Sequence, residues 1–276
     1  MTVDGLSHPH HWYSTNLVGV PTWVLASAEF NAHPQALHIG GTRAAHGGLF
    51  ALLARCSDAQ EASEVFVHYM SLAFALQTQA PWASPGERRR WRSSYIKLLQ
   101  GWGLDSNGAA GAVLKGWVES RFGLVPSFHK QALERFPSPA WVSYLEEKVS
   151  SRYHNNNIYQ QLDLLYEFCQ WALARFQPFG AGAHIGAWRG VSREERLAAG
   201  DRWSPDGQHA VVRLNNVVSL SMRSDQAECF GDWVWRVTVP TSKVLFYPGL
   251  VSPVPLSGEG EVLAIGGDYE VDVRHG

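Results

Sequence analysis

Pro178-Phe179-Gly180-Ala181-Gly182 divides the chain into two kinds of sequence. On its N-terminal side, Ile158 to Phe176 repeats apolar residues at 158, 162, 165, 169, 172 and 176, the spacing of one helix face, and then meets Pro178, which cannot continue a helix. On its C-terminal side, Asp232-Trp233-Val234-Trp235-Arg236-Val237-Thr238-Val239 places Trp233, Trp235, Val237 and Val239 on one face, the pattern of a half-buried strand closed by Pro240. Helices before the seam and strands after it make an α+β chain.

Working outward, the first half gives two further helices. Glu61 to Gln77 is apolar on more than one side, which predicts deep burial. Ser84-Pro85-Gly86-Glu87 has the N-cap serine, N1 proline and N3 glutamate of a capping box and predicts a helix over 88–102. In the second half, strands are expected at Ile185 to Arg189, His209 to Leu214, Val217 to Ser221, Lys243 to Tyr247, Glu261 to Ile265 and Tyr269 to Val273. Their spacing fits a compact, mainly antiparallel sheet or sandwich against which the helical half packs. The working division is a helical region over 1–150, concerned with specificity and regulation, and a catalytic core over 151–276, with one continuous domain as the alternative.

Composition narrows the class of function. Of 276 residues, 45% are hydrophobic and 17% charged, and the formal net charge is −2, so no overall field draws the chain to nucleic acid or to acidic membranes. Cys56, Cys169 and Cys229 are too few and too scattered for a disulfide framework. No apolar run approaches the roughly 20 residues that span a bilayer, and the first twenty residues lack a signal pattern. A cytoplasmic protein without membrane insertion is the expectation. His8, His10 and His11 form a cluster, but no partner set with zinc-site spacing accompanies them, so no metal is expected. The Arg88-Arg89-Arg90-Trp91-Arg92 run reads first as an exposed basic helix face, and second as a dock for an acidic partner. Most of the twelve tryptophans are expected in the core, with Trp188 a candidate for the border of a pocket.

The chemistry lies near the C-terminus. Glu259-Gly260-Glu261-Val262-Leu263 opens an apolar strand with two carboxylates two residues apart, and alternation along a strand sends both to the same side. Taken alone, such a pair is more often a solvated edge decoration. Arg189 alone reads as a salt-bridge partner, and Ser219 alone as a strand hydroxyl bonded to backbone. The constellation carries the inference: Ala187-Trp188-Arg189-Gly190, then Val217-Val218-Ser219-Leu220-Ser221, then Glu259-Gly260-Glu261.

An arginine ending a strand, a Ser-x-Ser on a later strand and a Glu-x-Glu at the head of a third resembles the mono-ADP-ribosyltransferases of the arginine, serine, glutamate class. Val262-Leu263 and Tyr269-Glu270-Val271 match the layout that follows the glutamates in that superfamily. The first half narrows the likeness. Ser14-Thr15-Asn16-Leu17-Val18-Gly19-Val20-Pro21, Ala28-Glu29-Phe30-Asn31-Ala32-His33-Pro34, Gly101-Trp102-Gly103-Leu104-Asp105-Ser106-Asn107-Gly108 and Val113 to Leu124 resemble the NAD-dependent dinitrogenase reductase ADP-ribosyltransferases of nitrogen-fixing bacteria.

That resemblance implies an ADP-ribosyltransferase-type sandwich, NAD as co-substrate, an arginine of dinitrogenase reductase as acceptor and a PII signalling protein as regulator. It also divides the labour. Glu261 faces the nicotinamide ribose and its 2′-hydroxyl, where a carboxylate stabilises charge that exists mainly in the transition state. Glu259 faces the acceptor guanidinium, which is protonated at ordinary pH and needs a base to become a nucleophile. Arg189 offers a fork of donors to the NAD phosphates or ribose, Gly190 admits a ligand close to the backbone, and Ser219 orients Glu261 and the nicotinamide ribose. Gly249 to Gly258 corresponds to the target-recognition loop. Two departures stand out: Trp188 where a tyrosine is commoner, and Leu220 where threonine is. The competing readings are an NAD glycohydrolase and a catalytically silent nucleotide-sensing module. Carboxyls this close on one strand leave less than the separation of about 6.5 Å that an inverting glycosidase needs for its water.

Overall fold

A computed structural model describes residues 16–76, 86, 93–192, 203–205, 207–252, 256 and 260–274. The α+β class is observed. Helices dominate to Phe176, and the sheet follows.

Local chemistry sets the helix ends. Asn156–Phe176 begins where the Asn155 side chain accepts from Ile158 N at 3.0 Å and ends at Gln177, which takes a left-handed conformation before Pro178. Ile158, Leu162, Leu165, Cys169 and Ala172 are all buried, as their spacing requires. The expected 61–77 helix is Ala59–Ala73, capped by Asp58, whose carboxylate accepts from Glu61 N. The expected 88–102 helix is corrected in its continuity: 88–92 lie outside the described residues, and 93–94 are not helical. A helix starts at Tyr95, because Ser94 turns extended and its hydroxyl accepts from Lys97 N. The Ser84 capping box, apart from Gly86, and the Arg88–Arg92 run lie outside the described residues, as do His8, His10 and His11.

Five strands form one antiparallel system: β3 (His184–Val191), β4 (His209–Ser221), β5 (Trp233–Pro240), β6 (Val244–Phe246) and β7 (Glu261–Arg274). The order is β4-β3-β5-β7-β6, and β4 also pairs with β7, so four strands close on themselves in a small barrel-like sheet. A minor hairpin, β1 (Phe128–His129) and β2 (Gln131–Ala132), lies in the helical half.

The two pairs of short strands expected at 209–214 and 217–221, and at 261–265 and 269–273, are each one long strand. β4 and β7 run together from His209↔Asp272 to Ser221↔Glu261, with a bulge between Leu214 and Val217. There Asn215 and Asn216 oppose the single residue Gly266, and a Cβ on Gly266 would fall 1.7 Å from Asn215 O. The polar pair and the glycines are one irregularity shared by two strands, not two turns.

The bulge also fastens the helical half. Asn216 Nδ2 donates to Lys115 O at 2.9 Å and to Leu124 O at 2.8 Å, and Asn215 Nδ2 donates to Phe128 O at 2.9 Å. Further along β7, Asp268 N donates to Ala26 O at 2.7 Å. The main hydrophobic core draws on both halves, from Val20 to Val271.

Candidate active site

Three strands bring the predicted residues together. Arg189 lies near the end of β3, Ser219 near the end of β4, and Glu261 begins β7. Ser219 Oγ donates to Glu261 Oε1 at 2.6 Å, and Arg189 Nη1 donates to Ser219 O at 3.1 Å. All three are half-buried. Ser221 and Glu261 are register partners, which places Ser219 and Glu261 diagonally across the ladder, within reach of a long side chain. Gly260 precedes the carboxylate with φ of 79°, and its carbonyl accepts from Met222 N at 3.0 Å, so β7 enters the sheet through a left-handed turn tied to the end of β4.

The three residues line a cavity of about 660 Å³. One wall is the end of the Tyr95–Leu104 helix with Asp105 and Ser106; another is Trp188 and Gly190; a third is Gln226, Ala227 and Phe230. The volume falls within the range of cofactor-sized clefts, about 300–1,000 Å³. A smaller cavity of about 380 Å³, beside Gln170 and Thr241, has no carboxylate in its lining. Trp188 borders the larger cavity, as its place beside Arg189 led one to expect, and the Arg236 guanidinium lies 6.0 Å from its ring centroid.

Gly190 borders the cavity and is also approached closely by the chain itself. A Cβ there would meet Ala227 O at 2.0 Å and Phe230 Cβ at 3.0 Å, so the close approach comes from the chain's own 224–230 segment. That segment is a cavity wall. Gly190→Ala is expected to push it outward, lower stability by about 1–3 kcal/mol and raise KM for NAD several-fold. Denaturant unfolding and steady-state kinetics check both parts; an unchanged KM would separate this glycine from the cleft.

Glu259 lies outside the described residues. Of the expected recognition loop, 249–252 and 256 are described: Leu250, Val251 and Leu256 are buried, and Ser252 N donates to Ser63 Oγ at 3.0 Å on the Ala59–Ala73 helix. The loop therefore leaves from a fixed base. Among the described residues no group of three or more His, Cys, Asp or Glu side chains is placed to hold a metal, and no helix is long and apolar enough to cross a membrane.

Sequence reasoning assigned no contact to the helical half, yet Trp102 reaches the centre of the site. Its Nε1 donates to Ser219 Oγ at 3.0 Å. The available signal was the Gly101-Trp102-Gly103-Leu104 stretch, which carried part of the family likeness but no role for its indole. Asp105, Gln226 and Phe230 line the cavity without having been anticipated.

The sequence model for dinitrogenase reductase ADP-ribosyltransferase matches residues 15–273, the helical half and the sheet alike. The chain belongs to this family. A curated relative, the NAD(+)--dinitrogen-reductase ADP-D-ribosyltransferase of Rhodospirillum rubrum, is 48% identical over 274 residues, covering 98% of each chain. No solved structure matches the chain. For a member of this family, the meeting of Arg189, Ser219 and Glu261 at one cavity is the feature of most chemical interest.

Proposed function

We propose that this chain is an NAD-dependent protein-arginine ADP-ribosyltransferase that modifies dinitrogenase reductase and thereby switches nitrogen fixation off. The observation that carries the reading is the Arg189–Ser219–Glu261 set at one cavity, in a chain 48% identical over nearly its whole length to an enzyme of that name.

The residues fit NAD as co-substrate. A carboxylate suits the ribose, a guanidinium suits phosphate or ribose oxygens, and the cleft is large enough for a sizeable part of a dinucleotide. Glu261 stabilises the positive charge that grows on the ribose as the bond from C1′ to the nicotinamide nitrogen breaks, with the electron pair leaving on that nitrogen. Glu259 orients the acceptor guanidinium and takes its proton as a guanidine nitrogen bonds to C1′. Nicotinamide, ADP-ribosylarginine and a proton balance the reaction. Arg189 anchors the NAD end of the cleft, with Gly190 beside it, and Ser219 holds Glu261 in place. Under this reading the barrel-like sheet is the ADP-ribosyltransferase-type sandwich, the reaction takes place in the cytoplasm, and a PII signalling protein acts as the regulator through the helical half.

Labelled NAD incubated with the chain and purified dinitrogenase reductase tests the reading. The expected result is label on the reductase, dependent on an arginine, with nicotinamide released in equal amount. NAD hydrolysis without protein labelling would favour the glycohydrolase, and neither reaction would favour the silent module. Glu259→Gln separates the two glutamates: transfer is expected to fall roughly 100-fold while NAD hydrolysis falls far less, because acceptor activation alone is lost. Equal loss of both activities would cancel the division of roles.

A further inference from the structure

We propose that Trp102 is a positioning residue for Glu261, acting through the Ser219 hydroxyl. The inference rests on the reading of Glu261 as the carboxylate that faces the ribose. Its geometry stands independently.

An indole N–H can only donate, whereas a serine hydroxyl has one hydrogen to give and two lone pairs to receive with. Trp102 Nε1 lies 3.0 Å from Ser219 Oγ, and Ser219 Oγ lies 2.6 Å from Glu261 Oε1. With the indole donating to a lone pair, the hydroxyl hydrogen has its acceptor in the carboxylate. The polarity of the relay is thereby fixed: Trp102 to Ser219 to Glu261. A serine hydroxyl that lacked the indole could rotate and donate elsewhere.

Both ends of the relay are held. Trp102 is buried on the Tyr95–Leu104 helix beside buried Leu98 and Leu99, and Lys115 Nζ stands 6.0 Å from the Trp102 ring centroid while donating to Asn107 Oδ1 at 3.0 Å. Ser219 is fixed through its main chain as well, by pairing with Leu263 and by the Arg189 contact to its carbonyl. With Oε1 of Glu261 committed to Ser219, the plane of the carboxylate is set, and among the described residues Oε2 has no hydrogen-bond partner. The helical half thus supplies a group that orients the carboxylate of the strand half.

A tryptophan that merely filled the core would affect the enzyme differently when changed. Trp102→Phe keeps the aromatic wall and removes the donor, so kcat is expected to fall about tenfold with KM for NAD changed less than about twofold. In a Ser219→Ala background the same substitution is expected to change kcat by less than about twofold, because the relay is already cut. An equal fall in both backgrounds overturns the proposal. Should Trp102→Phe fail to fold, the 15N-labelled full chain gives a second measurement. One indole N–H resonance is expected to move in Ser219→Ala and to stay in place in Ser221→Ala; if Ser219→Ala moves none, there is no relay. That spectrum does not depend on turnover, so a wild-type chain that labels no protein defeats the proposed function while the resonance still reports on the hydrogen bond.

Discussion

Glu261→Gln is expected to lower ADP-ribosyl transfer by roughly 10²–10³-fold, the loss typical when one preorganised electrostatic contact to a transition state is removed. The substitution is nearly isosteric, and the amide oxygen can still accept from Ser219 Oγ, which now lies 2.6 Å from Oε1. Under the proposed function, what disappears is the negative charge opposite the ribose. The ground state of NAD carries little positive charge on that sugar, so KM should move far less than kcat, the signature of an interaction made mainly in the transition state. The fold should be indifferent, with a melting temperature within a few degrees of the parent. Kinetics with labelled NAD and a thermal scan on the same preparation make the check. A loss smaller than tenfold would remove Glu261 from the reacting centre.

The second large effect falls on stability. Glu167 is fully buried on the Asn156–Phe176 helix, and its carboxylate takes Ile39 N at 2.6 Å, Arg43 Nε at 2.5 Å and the His38 ring at 3.1 Å. Glu167→Ala strands the Ile39 amide, leaves a void and deprives Arg43 of its anion. Breaking a buried pair from one side costs about 3–5 kcal/mol, and the low end applies here because Arg43 and His38 are 39% and 51% exposed and can turn to water. In a chain of this size, about 3 kcal/mol corresponds to a fall in melting temperature of roughly 6–12 °C. Glu167 lines no wall of the active-site cavity, so kcat below the transition should be close to the parent's. Glu167→Gln, which keeps an acceptor for Ile39 N, should recover part of the loss. If Glu167→Ala unfolds with the parent, the 38–43 turn is held by something else.

The helix ending at Phe176 was legible almost to the residue because two independent signals agreed, an apolar period of 3.6 and a proline stop. The 88–102 helix was legible only in its second half, because the break at 93–94, where Ser94 caps Tyr95–Leu104, left no mark in the apolar pattern. The strand breaks at Asn215-Asn216 and Gly266-Gly267 were seen at the right places and misread in kind. Polar and glycine interruptions mark turns and bulges equally well, and the distinction lies in the partner strand. Arg189, Ser219 and Glu261 could be named in advance because their chemistry resides in residue type and chain order. Trp102 could not, since its partner lies 117 positions away and an indole in a helix ordinarily signals core. Gly190 was noticed for a ligand's approach, and the close approach of Ala227 O to it could not be read from the sequence.

The bulge of β4 has a bearing on how such a chain can diversify. Asn216 grips two carbonyls of the helical half, Lys115 O and Leu124 O, while three positions further along the same strand the Ser219 hydroxyl donates to Glu261. A chimera spliced at the 178–182 seam between two relatives would have to inherit matching asparagine sockets and a matching indole, or its strands would settle out of step with its helices. The helical half and the strand half of this chain are therefore heritable only as a pair.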